Sequence, residues 1–190
     1  LWFDLLANNA TLPMGGEITT KENPTFRVKA VGAFKQKPGC PDYSSTKIKQ
    51  EDIERICKNE CYNPSDERKI ITKIEVIKVL PQIYKNESVD PLIMDAWKTF
   101  ECKADQNGCE VTFSDPNFSV DGRDAAYYVR AIQEPSQVIN AKNLRCEYDS
   151  EGNCIKVNQC HATYKTDPDD DCLSMSDERA WSSPIFVDYL

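Results

Sequence analysis

Residues 25–30 read TFRVKA and residues 125–132 read AAYYVRAI. In the first, Phe26, Val28 and Ala30 fall on one face of an extended chain, with Arg27 and Lys29 on the other. That period of two marks a strand with one side in a core and one in water. The second is apolar on both faces, as a strand at the centre of a sheet would be. Further β-branched or aromatic runs occur at 73–80 (KIEVIKVL), 109–113 (CEVTF) and 182–190 (SSPIFVDYL). Asp, Gly, Pro and Asn punctuate them. About seven or eight short strands with such turns predict a mostly-β fold, an antiparallel β-sandwich.

One helix is predicted from Gln50 to Lys58. Ile53, Ile56 and Cys57 share a face there, acidic residues occupy the first turn, and Asn59 follows its end. A second short helix near Ser176 to Arg179 is an option. No composition shift marks a boundary, so residues 1–190 read as a single domain.

The chain carries a formal net charge of −8, with 40% hydrophobic and 28% charged residues. This is globular composition. The acidic balance argues against nucleic acid or an anionic membrane surface as partner. No apolar run has the length of a membrane span. The opening LWFDLLA reads as a strand already under way, and the expectation is a piece of something longer.

Nine cysteines occur. Neither zinc-type pairs nor a Cys-x-x-Cys redox motif is present, and the nearest pair, Cys57 and Cys61, has three residues between. CKADQNGC (102–109) and CEYDSEGNC (146–154) share a pattern of Cys, two residues, Asp, two residues, Gly, then Cys at once or one residue later. Asp opening and Gly closing a four-residue turn suit a hairpin that brings flanking Cβ atoms within disulfide range. The expected bridges are Cys102–Cys109, Cys146–Cys154 and Cys160–Cys172. Of Cys40, Cys57 and Cys61 two can join. With Cys57 turned to the core, Cys40–Cys61 is preferred. Free thiols and a metal site are the alternatives, and bridging implies an oxidising compartment, secreted or periplasmic.

His161 is the lone histidine, so a histidine-rich metal centre is excluded and a surface role is the simpler reading. In DPDDDCLSMSDE, Asp167, Asp169, Asp171 and Glu178 stand at positions 1, 3, 5 and 12 of a calcium-loop pattern. Cys172, however, occupies the position that needs Gly, so a solvated acidic loop without metal is expected and calcium is the lesser alternative. Asp115, Asp121, Asp124, Arg123, Arg130 and Glu134 gather around residues 114–136. Arg130 and Glu134 share a strand face there, so ion pairing or loop anchoring is expected, with acid–base catalysis, which has no motif behind it, as the lesser alternative. Trp2, Trp97, Trp181, Tyr127 and Tyr128 could form stacking surfaces or core. Asn9, Asn86 and Asn117 each begin an Asn-x-Ser/Thr triplet.

Four stretches carry a resemblance: 24–44 (PTFRVKAVGAFKQKPGCPDYS), 61–79 (CYNPSDERKIITKIEVIKV), 124–136 (DAAYYVRAIQEPS) and 178–189 (ERAWSSPIFVDY). Through them the chain is similar to the C-terminal part of the bacterial domain-of-unknown-function 3604 family. The resemblance implies an envelope or secreted location and an upstream PHP-like metal-dependent hydrolase module as partner. It transfers no catalytic residue or cofactor to any position here. The resulting expectation is a non-catalytic accessory domain that packs on or shapes that module. An extracellular carbohydrate-binding module is the alternative.

Overall fold

The computed structural model describes residues 1–7, 10–58, 60–139, 145–158 and 172–190. In chain order they form β1 (Trp2–Ala7), β2 (Ala10–Pro13), β3 (Glu17–Thr20), β4 (Thr25–Ala30), β5 (Phe34–Gln36), α1 (Gln50–Cys57), β6 (Pro64–Arg68) and β7 (Ile71–Val79). There follow β8 (Ile93–Glu101), β9 (Cys109–Ser114), α2 (Phe118–Asp121), β10 (Ala125–Gln133) and β11 (Ser136–Ile139). The chain closes with β12 (Cys146–Tyr148), β13 (Cys154–Val157), β14 (Leu173–Ser176), β15 (Arg179–Trp181) and β16 (Ile185–Tyr189).

The alternation in β4 does what its period requires. Phe26, Val28 and Ala30 are buried while Arg27 and Lys29 are exposed. β4 lies inside a four-stranded antiparallel sheet ordered β2-β1-β4-β9. The apolar run at 125–132 is β10, central in a second sheet ordered β3-β16-β10-β7-β8, with β15 also paired to β10. The two sheets meet through Phe3, Leu5, Phe26, Val28 and Phe113 on one side and Ile74, Val76, Tyr127, Val129 and Val187 on the other. Phe26 stands at the centre of this contact, with its ring centroid 4.7 Å from that of Tyr127 across the sandwich.

Several expectations need correction. The described residues hold 16 strands rather than seven or eight, because the two main sheets hold ten and residues 34–68 and 136–176 add three two-stranded ladders. The expected mostly-β antiparallel sandwich is present, with one parallel pairing added where β3 joins β16. Residues 173–181 carry β14 and β15 in place of the optional helix, because β10 and β11 offer strand partners there. The unforeseen helix is α2, closed by Gly122 at φ +57°. The predicted helix is α1, ending in the left-handed cap Lys58. It buries Ile53, but Ile56 is exposed and Cys57 only half-buried.

Three of the expected bridges are present, with Cα–Cα distances of 4.7 Å for Cys40–Cys61, 5.8 Å for Cys102–Cys109 and 5.4 Å for Cys146–Cys154. Cys57 is free. Cys172 is disulfide-bonded, whereas Cys160 lies outside the described residues. Cys146–Cys154 staples the β12–β13 hairpin as the turn chemistry predicts. Cys102–Cys109 does not close a hairpin, because β8 and β9 belong to different sheets and β9 pairs with β4. The turn itself has the expected form. The Gly108 amide donates to the Asp105 carbonyl, and Gly108 adopts φ +98° with the Ala30 carbonyl oxygen where a side chain would otherwise stand. The bridge therefore joins sheet to sheet. No helix among the described residues is long and apolar enough to cross a membrane.

Candidate functional site

The densest polar feature inside the sandwich begins with Lys78. In β7 the alternation Ile74, Val76, Lys78 puts the lysine on the core face, and only 3% of it is exposed. Asp115, directly after β9, is fully buried. Lys78 Nζ lies 2.6 Å from Asp115 Oδ2, so the pair runs from one sheet to the end of the other. The Tyr127 hydroxyl donates to the same Oδ2 at 2.6 Å, and the Asn117 amide donates to Oδ1 at 3.0 Å. Asp121 of α2 brings a second carboxylate to 3.5 Å from Nζ. The ring of Trp97 covers the ammonium at 5.5 Å.

Burial opposes ionisation of Asp115, but the hydrogen bonds from Lys78, Tyr127 and the Asn117 amide outweigh it. They hold the carboxyl below its ordinary range. Burial, then the adjoining Asp115 carboxylate, pushes the Tyr127 phenol far up, so it stays a proton donor. Every buried charge here has a partner, as a dry interior demands.

On the outer face of the β10 sheet, Arg130 donates Nε to Glu75 at 2.9 Å and also pairs with Asp95 at 2.6 Å. Lys73 adds a contact to Glu75 at 3.0 Å. Arg123 clamps Glu87 and the Pro81 carbonyl, which anchors the segment between β7 and β8. Asp124 accepts the Tyr189 amide and pins β16. The expected Arg130–Glu134 pairing is not formed. Glu134 lies beyond the end of β10, where its carboxylate faces Lys35 at 3.8 Å.

Glu178, the calcium-pattern position 12, is engaged by Lys69 at 3.0 Å and by Gln133. It borders an open cavity of about 370 Å³ at one end of the sandwich, beside Gly32, Ile71 and Arg179. Asp167, Asp169, Asp171, His161 and Asn9 lie outside the described residues. No group of three potential metal ligands occurs among the described residues.

The aromatic residues divide. Tyr127 is fully buried and Trp97 packs on it at 6.0 Å, so both serve the core, while Tyr128 is half-buried. Trp2 is 51% exposed beside Asp4, Arg27, Lys29 and Glu110, which line a shallow groove on the β4 sheet. Trp181 is 58% exposed and stands opposite Arg130 on the outside of the β10 sheet. The two rings thus sit on opposite faces of the sandwich and form no row.

Lys78, Glu75, Asp95 and Glu87 were not singled out from sequence. For Lys78 the signal was available, since period two places it with Ile74 and Val76. The chain matches no family model, no curated protein and no solved structure.

The charge clusters fix an acid response. Burial opposes ionisation of Glu75, but hydrogen bonds from Lys73 and Arg130 outweigh it and leave its carboxyl below the ordinary 4.5. Glu178 is lowered in the same way, with Lys69 among its donors. A depressed folded value stabilises above the unfolded value and is lost as pH falls through the folded one. Tm should therefore stay level from neutral pH to about 5 and decline below about 4.5. Glu75→Gln should lower Tm at pH 7 and flatten that decline. An unchanged acid limb in Glu75→Gln would contradict the assignment.

Proposed function

We propose that the chain is a non-catalytic accessory β-sandwich domain of an extracytoplasmic protein, secreted or periplasmic, that supports a catalytic module elsewhere in the same polypeptide. The observation that carries this reading is the commitment of the central ionisable residues to structure. Lys78 and Asp115 are sealed inside the sandwich with side chains 4% and 0% exposed. Arg123, Asp124 and Arg130 each hold a loop or strand in place. A catalytic carboxylate must instead meet substrate. Three disulfides fit an oxidising compartment. The kinship with the domain-of-unknown-function 3604 family, and with it a PHP-like hydrolase as the supported module, rests on the four stretches quoted above.

Assays of the purified chain with phosphate, sulfate and glycoside esters, with and without manganese or zinc, test the reading. No turnover is expected. Turnover that titrates with added metal would overturn it.

A second reading, carbohydrate binding, is favoured by one feature. Trp2 is exposed beside the Asp4–Arg27 ion pair, a ring flanked by polar groups as in sugar recognition. Oligosaccharides that quench tryptophan fluorescence in the native chain but not in Trp2→Ala would establish it.

A further inference from the structure

We propose that Lys78 and Asp115 condense to an intramolecular amide, so that the folded chain carries an isopeptide crosslink between its two sheets. Both reacting groups are in contact at 2.6 Å and shielded from water, with side chains 4% and 0% exposed. Other lysine–carboxylate pairs among the described residues are wetter: Lys69–Glu178 is 21% and 42% exposed, Lys73–Glu75 37% and 12%. Holding amine and carboxyl together replaces a bimolecular encounter, an advantage of about 10⁵–10⁸ M in well-aligned intramolecular reactions. Exclusion of water also protects the product from hydrolysis.

The surroundings supply each role the condensation needs. The ion pair is the resting form, and in a low-dielectric site it can exchange its proton to give a small population of neutral amine and carboxylic acid. The Lys78 amine is then the nucleophile. Tyr127 polarises the carboxyl through its hydrogen bond to Oδ2, and the Asn117 amide faces Oδ1, where negative charge develops. Asp121, 3.5 Å from Nζ, is placed to take a proton from nitrogen.

The balance is closed. One Nζ proton passes to Oδ2, the Nζ lone pair attacks Cγ, and the carbonyl π pair moves onto Oδ1. Asp121 removes a second proton from Nζ and returns it to Oδ2. The Oδ1 pair re-forms the carbonyl as the Cγ–Oδ2 bond breaks and water leaves. Two protons move from nitrogen to oxygen, and no oxidant or external co-reactant is needed. The bond would enclose the Cys102–Cys109 bridge, nesting one inter-sheet link inside another.

Intact-mass measurement of the full chain, reduced and denatured, decides the matter. The expected mass is that of the sequence less one water, with a branched peptide joining residues 78 and 115 in tandem spectra. Lys78→Met should show its full sequence mass whether or not it folds. Asp121→Asn, a substitution at a half-exposed side chain, should fold and retain unreacted chain. A full sequence mass for the native protein overturns the proposal, as does a water loss that persists in Lys78→Met. Complete crosslinking in Asp121→Asn overturns the role given to Asp121.

Discussion

Replacing Lys78 with methionine is expected to destabilise the fold by about 3–5 kcal/mol, the range for removing one member of a buried charge pair. Asp115 would stay fully buried with its Oδ2 facing Tyr127 but no cation. The methionine fills the lysine's volume, so the loss reports charge rather than a cavity. A second substitution separates the two. Asp115→Asn added to Lys78→Met removes the stranded charge and keeps an amide oxygen for the Asn117 amide or the Tyr127 hydroxyl. The part of the loss that comes from the stranded charge should return in the double variant, whereas whatever a covalent link contributes stays lost. Urea unfolding checks this through the midpoint at constant m-value. Equal instability of single and double variants would show that Lys78 acts by packing or through a covalent link and not as a counter-charge.

The difference between what the sequence disclosed and what it withheld follows from the range of each force. Strand alternation is local, so the faces of β4 and the centrality of β10 were readable from six to eight residues. The Asp105–Gly108 and Asp149–Gly152 turns are local too, and they placed two bridges. Sheet membership is not local. Nothing in CKADQNGC says that β9 abandons β8 for β4, so the bridge was foreseen and its inter-sheet role was not.

The cluster around Asp115 was half legible for the same reason. Its carboxylates lie together in residues 114–136, but the cation comes from β7 and the covering ring of Trp97 from β8. A lysine inside an apolar run is easily taken for a solvent-facing interruption. Its parity with Ile74 and Val76 was the sign that it faces inward. Arg130 carried no comparable sign, because Glu75 is its cross-strand neighbour on β7 and Asp95 reaches it from β8, two strands away, at a break in the β7–β8 register. At Glu178 the sequence pattern is silent about the partners, since Lys69 and Gln133 reach that carboxylate from distant parts of the chain.

Phe26→Ala is expected to cost about 3–5 kcal/mol, the usual range for truncating a fully buried aromatic. Its ring stacks at 5.3 Å on Phe3 and at 5.3 Å on Phe113 within its own sheet, and meets Tyr127 in the other. Both sheets therefore lose a neighbour, and closure of the gap would require them to shift together. The effect should also reach the polar cluster. Tyr127 is held by ring packing on one side and by its hydrogen bond to Asp115 on the other. Loosening the ring in Phe26→Ala weakens that bond, so part of the cost of Lys78→Met is already incurred. A double-mutant cycle between Phe26→Ala and Lys78→Met should show coupling of about 0.5–3 kcal/mol, with the double variant less damaged than the sum of the singles. Strict additivity would mean that Tyr127 keeps its place without Phe26, and that the aromatic core and the Lys78–Asp115 pair stabilise the sandwich independently.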